Sequence, residues 1–222
     1  MENFWAILSV VPITLLLAIG SMLFGLLGGL FCALVQIYKV PVLNQFVTTF
    51  LAIIRGTPVL VLLFISYYGI PQLVDGLSIV TGVSMSVNNV HPIAFAIIAL
   101  SLDRSVYLTE AIRSAILSVP KGQMEAAHSV GMTTAQAYFR VIFPQALVVA
   151  IPNVVNLFLG AIKESSLASV VSVVEMMNMA NIQATDSYRY MEIFIIVSVM
   201  YWFICIAIEM LVSRMEKKLS YS

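Results

Sequence analysis

The chain has 222 residues, 61% of them hydrophobic and only 10% charged, with eleven Lys/Arg balanced by eleven Asp/Glu. Soluble domains carry about a quarter charged residues, so this composition and a mean hydropathy of +1.01 fit one class, a multi-span helical membrane protein. Zero net charge excludes a basic nucleic-acid footprint, and Cys32 and Cys205, both in apolar stretches without C-x-x-C spacing, read as packing residues rather than a disulfide or metal pair.

The N-terminus lacks a basic n-region and an A-x-A site, so no cleaved signal peptide is expected. No charge falls between Glu2 and Lys39, and residues 10–36 are long enough to cross a hydrocarbon core, which takes about 20 residues. Gly20, Gly25, Gly28 and Gly29 predict close helix packing there. Pro41 and Asn44 mark a turn. Residues 47–68 form a second span with Arg55-Gly56-Thr57-Pro58 in its first half. Residues 70–91, rich in Gly, Pro, Ser and Asn, read as a loop. A third span, 92–117, holds Asp103, Arg104, Glu110 and Arg113, so it does not face lipid all round.

Residues 118–146 are the longest polar interruption. Gly131 stands where a helix would close on a left-handed residue. Thr133 and Gln136 form a capping-box pattern, which opens an amphipathic segment over 134–143. Pro144 is expected to break or kink the chain. A fourth span, 151–174, carries Lys163-Glu164-Ser165-Ser166 about a third of the way in. Residues 175–190 are too polar to span and are expected at the surface or partly re-entrant. Met176, Met177 and Met179 would form an adaptable apolar patch there, with a packing role. The fifth span is 191–212. The fold read from these elements is an all-α integral membrane protein of five transmembrane helices, one domain over 1–222, without internal repeat.

The positive-inside rule orients it. Lys39, then Arg113, Lys121 and Arg140, then Arg214, Lys217 and Lys218 fall on one side, and Arg189 alone on the other. The 118–146 loop and the C-terminus are therefore expected in the cytoplasm and the N-terminus outside. No H-E-x-x-H, G-x-S-x-G or G-x-x-x-x-G-K-[ST] pattern is present. His91 and His128 stand alone and read as solvated side chains, since a zinc site takes three or four ligands. The chain has no visible engine. Uphill transport would need a partner, and a five-span chain without repeats would need a second copy to complete a path.

The interruption resembles the EAA loop of ABC importer permeases, whose pattern is E-A-A, three residues, G, nine residues, then I-x-L-P. Here it reads Glu125, Ala126, Ala127, Gly131, Val141, Ile142, Phe143, Pro144, with Val141 and Phe143 in place of Ile and Leu. Arg55-Gly56-Thr57-Pro58, Ser101-Leu102 with Tyr107 and Glu110, Lys163 to Ser169 and Arg214-Met215-Glu216 extend the likeness to permeases of the polar amino acid uptake family, the kind serving histidine, glutamine, arginine or cystine. The resemblance implies a type I ABC importer-like permease in a bacterial cell membrane. It implies a cytoplasmic coupling helix, with Glu125, Ala126, Ala127, Gly131 and Pro144 meeting an ABC ATPase dimer that binds the ATP and Mg. It further implies no cofactor on this chain, a second permease copy or paralogue, an extracytoplasmic amino-acid-binding protein and an amino acid substrate. The competing reading of the loop is an amphipathic hairpin on the inner leaflet, but such hairpins favour Lys/Arg faces with Trp, Phe and Leu, whereas this one is rich in Ala and Gln. The competing reading of the whole chain is a non-transporting bundle or a membrane enzyme with an unrecognised site.

Ionisable residues inside spans are the candidates for the substrate path: Arg55, Asp103, Arg104, Glu110, Lys163 and Glu164, with the hydroxyls of Ser165 and Ser166. The subfamily usually has a neutral pair where Asp103 and Arg104 stand. Two readings stand side by side. These charges line the path and select a zwitterionic or dicarboxylic substrate such as cystine, or they pair with Lys163, Glu164 or Glu110 and fix the bundle. Arg55 is expected to snorkel to headgroups or bind neighbouring backbone.

Overall fold

The computed structural model describes residues 2–83, 87 and 89–219, and every regular element among them is helical. The side chains of Lys217 and Lys218, which entered the charge bias, lie outside the described residues, as do residues 84–86 and 88 of the expected loop.

Helix α1 (Glu2–Ser9) and α2 (Val11–Tyr38) form one apolar rod with a bend at Val10, where Pro12 withholds a backbone donor. Lys39 closes α2 in the left-handed conformation with φ 48°, and α3 (Leu43–Gly56) turns back along it. Thr57 and Pro58 interrupt that helix. The apolar stretch resumes as α4 (Val59–Phe64), a π turn at Ile65–Gly69, and α5 (Ile70–Thr81). The second helix long and apolar enough to cross a membrane is thus Val59–Thr81, not 47–68, and Arg55 stands on α3 outside it. Nor are residues 70–81 a loop. Pro71 occupies the first turn of α5, where no donor is missed, and Gly82 closes the helix at φ 69°.

α6 (Pro92–Ser118) runs parallel to α2 at the centre of the fold. Gly20 faces Ile97, Gly25 faces Arg104 and Gly29 faces Leu108. A Cβ on Gly25 would stand 2.7 Å from that of Arg104, and one on Gly29 would stand 2.8 Å from that of Leu108. Only glycine permits this approach. α3 and α4 complete the main core by packing Val47, Leu51, Leu62 and Leu63 against α2 and α6.

α7 (Lys121–Ser129) follows, then a turn at Gly131 and α8 (Thr134–Ala137). α8 passes through a second π turn, Tyr138–Ile142, into α9 (Phe143–Glu164), and α9 tightens into a 3₁₀ turn, Ser165–Val171. Pro144 therefore breaks nothing. The Phe143 N–H bonds to the Tyr138 carbonyl in the wide π pattern, and Pro144 enters the next turn in a position where its missing donor is tolerated. The membrane-length helix is Thr134–Val171, longer than the 151–174 expected, and Lys163 and Glu164 lie near its far end rather than a third of the way in.

Glu175 opens α10 (Met176–Ser187), and α11 (Tyr190–Leu219) closes the chain. Met176 is fully buried in a second core with Ile7, Ala180, Ile193 and Val197. Met177 and Met179 pack partly buried against the same core, so the expected packing role holds while the patch lies inside: Ala180 and Ala184, one and two turns beyond Met176, let α10 settle against α1 and α11. Five helices among the described residues are long and apolar enough to cross a membrane.

Candidate functional site

Arg104 projects from the middle of α6 and is 4% exposed, as is Asp103. Its Nη2 donates to Asp103 Oδ2 at 2.9 Å and to the Glu164 carboxylate of α9. Nη1 donates to the Leu157 carbonyl at 3.3 Å, and the guanidinium carbon lies 5.4 Å from the Tyr107 ring centroid. Gly160 leaves room for it: a Cβ there would stand 3.2 Å from Nη1. A charge this deep costs several kcal/mol unless it is paired and hydrogen-bonded, and here two carboxylates, a carbonyl and a ring face offset that cost. Of the partners expected for Asp103 and Arg104, Glu164 is present, while Lys163 and Glu110 are not.

Glu110 pairs instead with Arg55 of α3. Arg55 is thus held by a carboxylate, neither snorkelling nor resting on backbone. Glu110 lies two turns beyond Asp103 along α6, at an exposed position within reach of α3. The two side chains are 49% and 57% exposed. They line a cavity of about 670 Å³ with Gln36, Lys39, Asn44 and Arg113. Among the described residues neither Lys39 nor Arg113 has an ion-pair partner.

Lys163 and Glu164 are adjacent in sequence but diverge in space. Lys163 is exposed and lines a second cavity of about 500 Å³ with Ser166, Tyr201 and Trp202. The Ser165 hydroxyl donates to the Ile162 carbonyl and the Ser166 hydroxyl to the Lys163 carbonyl, each at 2.7 Å. Both satisfy carbonyls released where α9 narrows into the 3₁₀ turn.

At the other end of α9 the hairpin is built locally. Gly131 turns the chain at φ 79°. Thr133 Oγ1 accepts from the Gln136 N–H at 3.3 Å, and Gln136 Oε1 accepts from the Thr133 N–H at 3.0 Å. Ala127 is buried against the π turn, whereas Glu125, Ala126, Gly131 and Pro144 are exposed. Val130 and Phe139 are also exposed, at 74% and 72%. The Tyr138 ring lies 6.1 Å from that of Tyr38, which fixes the hairpin to the end of α2. His91 Nδ1 accepts from the Ile93 N–H and caps α6, and a His128 ring nitrogen lies 3.1 Å from the Met132 carbonyl.

Sequence reasoning passed over Glu175. Its side chain is fully buried between the fourth and fifth membrane-length helices. It accepts from the Asn178 N–H at 2.8 Å, capping α10, from the Tyr201 hydroxyl at 2.9 Å, and from Thr14 of α2 at 3.5 Å. Burial raises its pKa above the ordinary carboxylate range, and these hydrogen bonds only partly offset the shift. The available signal was a lone carboxylate between two apolar runs, three residues before Asn178.

The chain resembles known permeases along nearly its whole length. It is 41% identical to the "Probable amino-acid permease protein YxeN" of Bacillus subtilis (strain 168), over 98% of this chain and 92% of that protein. It is 36% identical to the "L-cystine transport system permease protein TcyL" of the same organism, over 94% and 84%. Among solved structures, a chain of "Crystal structure of an amino acid ABC transporter with histidines" superposes with a TM-score of 0.80 at 31% identity, covering 96% of this chain and 94% of that one. Residues 25–221 match the family described as "Binding-protein-dependent transport system inner membrane component", and the chain belongs to that family of membrane transport subunits.

Proposed function

We propose that this chain, as one permease domain over its whole length, forms the translocation path of an ATP-driven importer for a polar amino acid. Its Lys121–Pro144 hairpin would couple that path to a cytoplasmic ATPase dimer. The observation that carries the reading is the pairing of the two features by one rod: the second arm of the hairpin, from Thr134, and the Glu164–Arg104 contact stand on the same continuous helix. Family membership and the amino-acid permeases among the relatives support transport over an inert bundle or an enzyme. ATP and Mg belong to the ATPase, and an extracytoplasmic binding protein would deliver the amino acid. A second copy or a paralogue would complete the path.

Within this reading Arg55, Glu110, Lys163, Glu164 and Ser166 line the path, since each is at least partly exposed in the single chain. Asp103 and Arg104 are buried and position them by fixing α6 to α9, and the buried Ser165 shapes the end of α9 through the Ile162 carbonyl. Glu125, Ala126 and Gly131 supply the docking surface, with Ala127 and Pro144 shaping its base. The hairpin and C-terminus lie in the cytoplasm of a bacterial cell and the N-terminus outside, following the Lys/Arg bias.

Gly131→Val tests the coupling. A β-branched residue at φ 79° costs upward of about 1–2 kcal/mol and reshapes the turn. In reconstituted vesicles carrying the permease, its ATPase and its binding protein, ATP hydrolysis is expected to persist while uptake falls by about tenfold or more. Unchanged uptake per ATP would argue against the hairpin as the coupling element.

A further inference from the structure

The cavity beside Arg55 and Glu110 carries an unbalanced charge. Its wall presents Lys39, Arg55 and Arg113 against the single carboxylate of Glu110. Arg55 and Glu110 neutralise one another. Lys39 and Arg113 remain, both exposed and both without an ion-pair partner among the described residues. The Lys39 backbone is fixed where it closes α2 in the left-handed conformation with its N–H on the Val35 carbonyl, so its side chain is tethered at the cavity rim. Arg113 stands one turn from Glu110 on the same stripe of α6. Gln36 and Asn44 add amide groups able to donate or accept. The volume of about 670 Å³ falls in the range of small-molecule sites, roughly 300–1,000 Å³.

A ligand entering this space meets charges on a partly solvent-exposed wall, where Coulomb attraction is screened but still exceeds its value in bulk water. A carboxylate meets two free cationic donors, while Glu110 offers an acceptor for an ammonium group. A cationic side chain meets two uncompensated positive charges. Deeper in the bundle, Arg104 and Lys163 are matched in number by Asp103 and Glu164, so that layer does not reverse the bias. Resting on the permease reading, we propose that the cavity between α2, α3 and α6 is a charge filter within the permease itself. Lys39 and Arg113 receive the carboxylate of a neutral zwitterionic or dicarboxylic amino acid, and amino acids with cationic side chains are disfavoured.

The test uses the purified permease–ATPase complex without any binding protein, in phosphatidylcholine nanodiscs. Radiolabelled L-glutamine is displaced by unlabelled L-glutamine, L-glutamate, L-cystine, L-arginine or L-lysine. The first three are expected to compete about tenfold or more better than the last two. Arg113→Glu and, separately, Lys39→Glu shift the arginine-to-glutamine ratio about tenfold towards arginine, while Arg113→Lys keeps the original ratio. The Lys39 variant, at an exposed helix end, serves if the Arg113 variant fails to assemble with the ATPase. Absence of glutamine binding, equal competition by all five amino acids, or a ratio unmoved by both charge reversals overturns the filter. A preference seen only in nanodiscs containing phosphatidylglycerol also overturns it, because the cations then serve a lipid headgroup. ATP-driven uptake by the complete system is measured in parallel. Uptake that persists without any charge preference overturns the filter and leaves the permease reading standing, and loss of uptake for every amino acid overturns both.

Discussion

Arg104 occupies a place where an unpaired guanidinium would be untenable, inside a membrane-length helix and almost without exposure. Two carboxylates, a carbonyl and a ring face make it tenable, and glycines at 25 and 160 clear the space it fills. The charged residue types were legible in the sequence, but their partners were not. Arg104 meets a residue 60 positions away, and only the register of α6 against α9 decides that Glu164 rather than Lys163 faces it. Glu175 poses the reverse case, a carboxylate that burial makes easier to protonate. The folded chain holds that proton more tightly than the unfolded chain, so this group's contribution is favourable below the ordinary glutamate pKa of about 4.3 and is lost as pH rises through the folded value. Glu175→Gln should flatten the pH dependence of Tm for the detergent-purified protein above about pH 4.3, relative to a wild type that loses stability as pH rises from there. Identical slopes for the two proteins would assign the pH dependence to other groups.

At the scale of elements, local rules and tertiary rules divide cleanly. The Thr133–Gln136 capping box and the left-handed turn at Gly131 were readable because each depends on residues within three or four positions. Pro144 and the stretch 70–81 were misread for one shared reason. Each of the two π turns ends two residues before a proline, Gly69 before Pro71 and Ile142 before Pro144, and the widened turn lets the helix pass a residue that would otherwise stop it. Composition reports the proline but not the extra residue that accommodates it. The glycine face of α2 was readable, although its partner was not. Gly29→Leu would drive a Cβ to 2.8 Å from Leu108, whereas a Cβ at Gly28 stands 3.4 Å from that of Ser105, an ordinary contact. Overpacking of that kind costs about 1–3 kcal/mol or more, so Gly29→Leu should lower Tm and ATPase association while Gly28→Ala leaves both near wild type. Equal effects of the two would mean that the α2–α6 approach does not limit stability.

For the whole molecule, hydropathy alone counted the five membrane-length helices, because 20-residue apolar runs are self-evident. The arrangement was not countable in that way. The most apolar stretch of α6 is 56% buried and that of α11 only 11%, so one chain has a single well-covered centre and broad apolar flanks for lipid or another subunit. The proposed orientation is checked by labelling cells with a membrane-impermeant thiol reagent after Cys32 and Cys205 are replaced by alanine. Ser187→Cys should react in intact cells and Ser129→Cys only in inverted vesicles, and the opposite pattern would turn the molecule over. The unbroken rod from Thr134 to Val171 has a mechanical consequence. No linker separates the tip beside Gly131 from the carboxylate that grips Arg104, although Pro152 withholds one backbone donor along the way. The surplus residue in the π turn at Tyr138–Ile142 would set the pitch of any twist passed along the rod: drawn into regular α-helix, it would rotate everything beyond by about 100° while lengthening the rod by about 1.5 Å.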